Sequence, residues 1–226
     1  MSIKNKYEPK NLNQVVYPDA ATELRVKSLG NGTLNGHVIF HGPRGTAKTT
    51  AANLLVNAIG GQHAHIESDF ENLLAMPNLI AHLKQACHFA KLFTSSKCFL
   101  LFNEFDNYKG TPYQLWDAMD KLQSEGLMVI ITTNELMNIH PSVRSRCRLI
   151  EFPAISASSM LSRAQQILSA EGLHLPNRQV LDYLRSLERF GDLRKYLDCI
   201  EELLLVHSSG LPMPPWSGQK PSLTVI

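Results

Sequence analysis

The chain has 226 residues, of which 44% are hydrophobic and 19% are charged, and its formal net charge is +2. This composition is typical of a globular protein and excludes a disordered, collagen-like or highly charged chain. The length fits one large domain, or one domain plus a small appendage, and the charge is too small to indicate a nucleic-acid partner by itself. The sequence has no run of 18 apolar residues and no signal-peptide pattern. We therefore expect a cytoplasmic protein with no membrane partner.

Short apolar strands alternate with helical patterns through the first two thirds of the chain. The predicted strands are 38–41, 64–66, 98–102, 127–131 and 148–152, and the predicted helices between them are 51–59, 78–93 and 111–124. The runs 98–102 and 127–131 are apolar throughout, which is typical of strands buried on both faces of a parallel sheet. This alternation predicts an α/β fold with parallel strands. The four cysteines lie at least eleven positions apart, which predicts buried free thiols and no zinc or redox pair.

The character of the sequence changes after Phe152. Three helical patterns follow, at 156–170, 177–187 and 192–207, and the remaining residues are rich in glycine, proline and serine. We therefore divide the chain into an α/β domain at 1–152, an all-helical domain at 153–207 and a tail at 208–226.

A glycine-containing loop joins the first predicted strand to the first predicted helix. It matches the phosphate-binding pattern G-x-x-x-x-G-K-[ST] except that Ala47 replaces the last glycine. The alternative is a glycine-rich turn before a helix, but the preceding strand favours a phosphate site for ATP. The residues predicted to bind the nucleotide here are Gly42, Pro43, Arg44, Gly45, Thr46, Ala47, Lys48, Thr49 and Thr50.

Lys48 is expected to reach the β and γ phosphates, and the Thr49 hydroxyl is expected to coordinate Mg²⁺. The extra methyl of Ala47 costs little if the residue has a negative φ and more if its backbone is left-handed. We therefore expect the loop to bind ATP with reduced affinity.

A second nucleotide motif follows strand 98–102, where Asn103 and Glu104 stand at the end of the apolar run. An aspartate at the first position normally helps to hold Mg²⁺, so Asn103 removes one negative charge from the predicted metal site. Glu104 retains the carboxylate that polarises the attacking water. Asn134 follows the strand at 127–131 and is a candidate contact for the γ-phosphate, although an asparagine after a strand is often a turn residue.

The order of five motifs resembles that of the AAA+ clamp-loader ATPases, in particular replication factor C small subunits and bacteriophage clamp-loader ATPase subunits. The motifs are 42–50, 103–106, 133–135, 145–147 and 191–194, and the resemblance covers about residues 4–206. It implies a P-loop, RecA-like parallel-sheet domain followed by a small helical lid. Residues 6–12 are similar to a family segment that lies against the adenine, which places Tyr7 and Pro9 at the nucleotide.

The resemblance also implies a role for each matching side chain. Glu104 would be the catalytic base, Asn134 the first sensor, and Arg194 the second sensor, reaching the phosphates from the lid. Arg146 would enter the ATP site of a neighbouring subunit as an arginine finger, which implies a homo- or hetero-oligomer. Without the resemblance, Arg146 would be interpreted as part of a solvated basic turn.

Three departures from the family pattern bear on activity. Ala47 replaces a glycine, Asn103 replaces an aspartate, and Glu8 stands where the family usually has arginine. Two of them affect the phosphate end of the site, so we expect a slow or conditional ATPase. Related subunits continue into a helical collar beyond the lid. We expect this chain to assemble instead through AAA+ contacts, a partner that supplies the collar, or its tail.

The resemblance implies that the protein couples ATP to assembly on DNA and to loading of a ring-shaped sliding clamp. Lys84, His88 and Lys91 share one edge of a predicted helix and are candidate DNA contacts, although a solvated helix face explains them equally well. One alternative is a mobile-element AAA+ ATPase with another client, acting in helicase loading, transposition or defence. The other is a nucleotide-gated assembly subunit with little activity of its own, which donates Arg146 to an active neighbour.

Overall fold

The computed structural model describes residues 2–60, 70–93, 97–105 and 108–213. Within these ranges four strands form one sheet in the order β2-β3-β1-β4, and every neighbouring pair is parallel. The strands are β1 (His37–His41), β2 (Cys98–Phe102), β3 (Leu127–Thr133) and β4 (Cys147–Glu151). The α/β fold with a parallel sheet is therefore confirmed, while the strand predicted at 64–66 lies outside the described residues.

Ten α-helices surround or follow the sheet in the described part of the chain. They are α1 (Ile3–Lys6), α2 (Ala20–Gly30), α3 (Lys48–Gly60), α4 (Phe70–Leu74), α5 (Leu79–Phe93), α6 (Tyr113–Leu122), α7 (Pro141–Arg144), α8 (Ala157–Ala170), α9 (Asn177–Arg185) and α10 (Leu193–Ser208). The sequence pattern does not predict α1, α2, α4 or α7. α2 forms because the Asp19 carboxylate caps it by accepting a hydrogen bond from the Thr22 N–H, and because Val26 and Leu29 are fully buried.

Two hydrophobic clusters cover the two faces of the sheet. Alternate residues of a strand point to opposite faces, and accordingly Leu100 and Val129 belong to one cluster whereas Leu101 and Ile130 belong to the other. All residues of β2 and β3 are buried, which explains why β2 is apolar throughout and why β3 is apolar up to Thr132 and Thr133 at its end.

A third cluster is built by α8, α9 and α10, and it includes Ile3 of α1. The division at residues 152 and 207 stays a prediction. The packing adds that the first helix of the chain lies with the C-terminal helices.

The four cysteines are free thiols; Cys87 and Cys98 are buried, and Cys147 and Cys199 are half-buried. Burial raises the pKa of the Cys147 and Cys199 thiols to about 12, so both are protonated at neutral pH. Over the described ranges, no three His, Cys, Asp or Glu residues lie close enough to hold a metal ion, and no helix is long and apolar enough to cross a membrane.

Candidate functional site

A cavity of about 530 Å³ lies at the carboxyl ends of β1, β2 and β3, between the sheet and the C-terminal helices. Ligands of parallel α/β sheets bind at this edge. The cavity brings together most of the side chains predicted to act on a nucleotide. Those that line it are Tyr7, Pro9, Arg44, Gly45, Thr46, Ala47, Lys48, Thr49, Thr50, Glu104, Asn134 and Arg194.

Two glycines give the loop its shape because no side chain fits at either position. Gly42 has φ +134°, and a Cβ there would lie 2.2 Å from the carbonyl oxygen of Phe152. Gly45 has φ +76°, and a Cβ there would lie 2.0 Å from the Asp192 carboxylate. The loop then leads directly into α3, whose first residues line the cavity. The free amides of a helix N-terminus favour an anion such as phosphate at this position.

Lys48 is the buried cation of the loop. Its side-chain Nζ donates hydrogen bonds to the carbonyl oxygens of Gly42 at 2.8 Å and Pro43 at 2.6 Å. The Thr46 hydroxyl donates to the same Pro43 carbonyl at 3.0 Å. Gly42 and Pro43 are not among the lining residues, so they shape the loop and hold Lys48 instead of facing the cavity.

Ala47 has a left-handed backbone, with φ +66°. The sequence left its conformation open, and the structure has the more costly of the two alternatives. An L-residue with a Cβ in this region is destabilised by about 1–2 kcal/mol. The missing glycine is therefore a source of backbone strain at the centre of the loop.

Glu104 is held at the end of β2 by a buried threonine of β3. Its N–H donates a hydrogen bond to the Thr132 hydroxyl oxygen at 3.2 Å, and that hydroxyl donates to Asn103 Oδ1 at 3.1 Å. Glu104 also has a positive φ of +53°, an uncommon conformation that costs free energy and occurs often at functional sites. Asn103 does not line the cavity, and its amide oxygen is used by Thr132. Its role at a metal stays a prediction.

The oxygen donors of the cavity fit a magnesium ion that is bound together with phosphates. The Thr49 hydroxyl and the Glu104 carboxylate both line the cavity, and Mg²⁺ prefers such oxygen ligands. Mg²⁺ in phosphate-transfer sites is held largely by substrate phosphates and water, with one or two protein ligands. A cluster of carboxylates is therefore not required.

Asn134 follows β3 in a fixed turn. The Thr133 hydroxyl donates to the Glu135 carbonyl and accepts from the Glu135 N–H, each at 3.1 Å. Because β3 lies between β1 and β2 in the sheet, this turn places Asn134 between the loop and Glu104.

The first turn of α10 is bonded to the phosphate-binding loop. The Leu193 N–H donates to the Gly45 carbonyl oxygen at 2.9 Å, and Asp192 caps α10 by accepting from the Arg194 N–H at 2.8 Å. Arg194 is exposed and lines the cavity. The contact explains how a residue almost 150 positions further along the chain reaches the loop.

Several residues that line the cavity were not predicted from the sequence. Leu193 and Leu197 lie four residues apart on α10, a spacing from which a shared face could have been predicted. Arg163 of α8 gave no signal, because an arginine on an amphipathic helix usually faces solvent. The other missed lining residues are Lys4, Asn5, Glu8, Gln14, Val16, Thr132, Thr133 and Met160.

Arg146 lies away from the cavity of its own chain. It precedes Cys147, which pairs with His37, whereas the loop follows His41 at the other end of the same strand. Four residues of β-strand span about 13 Å. The Arg146 guanidinium is bonded to the Asp120 carboxylate, through Nε to Oδ1 at 2.7 Å and Nη2 to Oδ2 at 2.5 Å, and Nη1 donates to the Ser142 carbonyl at 2.7 Å. These bonds lower the pKa of Asp120 and raise that of Arg146.

The basic edge of α5 is partly neutralised within the chain. Lys91 forms an ion pair with Glu125 at 3.1 Å, while Lys84 and His88 are exposed. The hydrogen bond from Lys91, followed by the weaker fields of Lys84 and His88, lowers the pKa of Glu125. DNA contact by these residues stays a prediction.

The model of the family described as "ATPase family associated with various cellular activities (AAA)" matches residues 38–154, which is more than half of the chain. Replication factor C subunit 4 of Encephalitozoon cuniculi is 25% identical over 223 residues, covering 94% of this chain and 71% of that protein. The replication factor C small subunit of Aeropyrum pernix is 25% identical over 199 residues, covering 87% of this chain and 60% of that protein. The chain thus spans less than two thirds of the length of this archaeal relative.

Solved structures show the same fold at low sequence identity. The RuvB Holliday junction branch migration motor of Thermotoga maritima has a TM-score of 0.66 at 16% identity, covering 89% of this chain and 67% of that one. AMPPCP-bound DnaA from Aquifex aeolicus has a TM-score of 0.66 at 19% identity, covering 91% of this chain and 67% of that one. At these identities the likeness concerns the fold alone.

Proposed function

The chain belongs to the AAA family of ATPases, and on that premise we propose that it is an ATPase subunit of a clamp loader. It would couple ATP binding and slow hydrolysis to assembly on DNA and to loading of a sliding clamp. The similarity to replication factor C subunits over most of the chain supports this client. The observation that supports ATPase activity is that Lys48, Glu104, Asn134 and Arg194 line the same cavity.

Each of these side chains has a task in phosphoryl transfer to water. Lys48 and the amides at the start of α3 bind the β and γ phosphates. Glu104 accepts a hydrogen bond from the attacking water and draws its proton as the water oxygen bonds to the γ-phosphorus and the bond to ADP breaks. Asn134 orients the γ-phosphate, and Arg194 joins the phosphates to the lid. Mg²⁺, held through Thr49, would neutralise phosphate charge when it is bound.

Arg146 acts on the nucleotide of another subunit in this proposal. Its position at the opposite end of the sheet supports this, because the residue is remote from its own cavity. A contact that joins the Arg146 surface of one subunit to the cavity of the next is head-to-tail, which generates a ring or a spiral and not a two-fold dimer. Asp120 must release Arg146 or share it, and because the pair is partly exposed to solvent, a phosphate group can compete with the carboxylate for the guanidinium.

The slow turnover that we propose has two sources in the chain. Ala47 strains the loop, and Asn103 supplies an amide where a carboxylate would add negative charge beside the metal. Neither departure abolishes ATP binding, because Lys48 and the glycine-shaped loop are present, but the strain at Ala47 lowers its affinity.

The test is the rate of ATP hydrolysis by the full chain alone, with primed DNA, with a sliding clamp, and with both. We expect stimulation by DNA and clamp together, loss of it in Lys48→Ala, and a larger particle mass in the presence of a non-hydrolysable ATP analogue. Stimulation only by a different client would refute clamp loading and favour the mobile-element alternative. Activity that appears only in a mixed complex and disappears there with Arg146→Ala would identify a non-hydrolysing assembly subunit.

A further inference from the structure

The N-terminal segment, defined here as residues 2–9, is bonded to the C-terminal helices. Ile3 is buried in the cluster of α8, α9 and α10. Its N–H donates to Glu201 Oε1 of α10 at 3.4 Å, and the Lys4 ammonium pairs with Asp198 of the same helix at 2.5 Å. The segment is thus anchored to α10 by one apolar and two polar contacts.

A second set of contacts ties the segment to α8 and the residue that follows it. Arg163 Nη2 donates to the Tyr7 carbonyl oxygen at 2.7 Å. The Glu171 carboxylate pairs with the Lys6 ammonium at 2.6 Å and accepts a short hydrogen bond from the Tyr7 hydroxyl. All three contacts join residues more than 150 positions apart, so they fix the segment in space and not merely its local shape.

The same segment forms one wall of the nucleotide cavity, which the phosphate-binding loop also lines. Its lining residues are Lys4, Asn5, Tyr7, Glu8 and Pro9. Apolar side chains lie beside this wall, among them Val16, Met160 and Leu197. A wall with aromatic and apolar groups suits a flat nucleobase, whereas the loop suits phosphates.

The segment has little structure of its own to keep it there. α1 contains only four residues, and a helix of that length is not stable alone in water. The contacts from α8 and α10 must therefore supply its order. Arg163 has two of its guanidinium nitrogens engaged, with Tyr7 and with Gln166 at 3.3 Å.

We propose that Arg163 and Glu171 are positioning residues for the nucleobase, because they hold the N-terminal segment as the base-side wall of the cavity. This inference rests on the proposed function, since it requires the cavity to bind a nucleoside triphosphate. It assigns to the lid a contribution to base binding that is separate from the contribution of Arg194 to the phosphates.

Two ligands allow the contribution of the base-side wall to binding to be measured separately from that of the phosphate site. ATP uses both, whereas inorganic tripolyphosphate uses only the phosphate site. Binding of each ligand to the full chain would be measured by calorimetry for the wild type, Arg163→Ala, Arg163→Lys and Glu171→Gln. Arg185→Ala is the matched control, because Arg185 is an exposed arginine of α9 that pairs only locally, with Asp182.

We expect Arg163→Ala to weaken ATP binding about tenfold, the effect of losing one charge-assisted hydrogen bond, while tripolyphosphate binding stays within about twofold. Glu171→Gln should weaken ATP binding less, by about threefold, because the amide retains hydrogen-bonding capacity. Arg163→Lys should restore part of the loss, since an ammonium also donates to the Tyr7 carbonyl. Arg185→Ala should change neither ligand.

An equal loss of ATP and tripolyphosphate binding in Arg163→Ala would overturn the proposal, because Arg163 would then be a phosphate ligand. Unchanged ATP binding in both Arg163→Ala and Glu171→Gln would overturn it as well. Binding of neither ligand by the wild type would instead remove the proposed function, which makes the two failures distinguishable. Trypsin cleavage after Lys4 and Lys6 gives a second measurement, and it should be faster in Arg163→Ala than in Arg185→Ala if the wall has been released.

Discussion

Replacing Ala47 by glycine should stabilise the protein, although glycine usually destabilises a folded chain. The φ of +66° at Ala47 costs an L-residue about 1–2 kcal/mol, and glycine avoids this cost. Glycine also gives the unfolded chain more freedom, which offsets about 0.4–1 kcal/mol of the gain. The expected result is a rise of about 0.5–1 kcal/mol in the free energy of unfolding, or about 1–4 °C in Tm for a chain of this size.

The matched control is Ala81→Gly, the same chemical change at an exposed position inside α5. Its backbone is helical, so glycine there should lower the free energy of unfolding by about 0.5–1 kcal/mol. Urea unfolding followed by circular dichroism measures both variants. If Ala47→Gly destabilises the protein as Ala81→Gly does, the left-handed backbone of Ala47 does not cost the free energy expected here. A higher ATP affinity in Ala47→Gly would further support the reduced affinity expected from the sequence.

Three further predictions concern other parts of the chain. Asn103→Asp should raise the rate of ATP hydrolysis at subsaturating Mg²⁺, because aspartate adds a negative charge to the predicted metal site and still accepts the Thr132 hydrogen bond. An unchanged initial rate would show that Asn103 does not limit turnover. Arg146→Ala should lower hydrolysis by the assembled protein about 10³-fold or more without changing ATP binding by the single chain, whereas Arg144→Ala should leave both unchanged. Burial depresses the pKa of His37 below its ordinary value of 6.5, so the unfolded chain binds the proton more readily. The free energy of unfolding should therefore fall as the pH drops from 7 to 5, with a smaller slope in His37→Gln, and equal slopes would exclude His37 as the cause.

The parts of the site that the sequence predicted are those that depend on local pattern. Strand β2 and residues 127–131 of β3 are apolar and buried, and the loop follows β1 at a fixed spacing. Ligands of parallel sheets bind at the edge where the strands have their carboxyl ends. Glu104 and Asn134 follow two such strands, and both line one cavity.

The parts that the sequence could not predict depend on partners far away along the chain. Asn103 is bonded to Thr132, 29 positions later, and Arg163 is bonded to the Tyr7 carbonyl, 156 positions earlier. Neither pair belongs to a spacing that one element imposes. The left-handed φ of Ala47 was also hidden, because an alanine in a loop is compatible with either sign.

The role proposed for Arg146 depends on its position in the fold and not on the local sequence. From the sequence alone it was a solvated basic turn, and only the resemblance to clamp loaders implied a role at a neighbouring nucleotide. In the structure Arg146 stands at the start of β4, at the end of the sheet remote from its own cavity, and it is bonded to Asp120 and Ser142. A guanidinium in that place contributes nothing to the cavity of its own chain. If Arg146 takes part in ATP hydrolysis at all, the geometry requires a second subunit whose cavity lies against this surface, so a loss of activity in Arg146→Ala would itself be a measure of assembly.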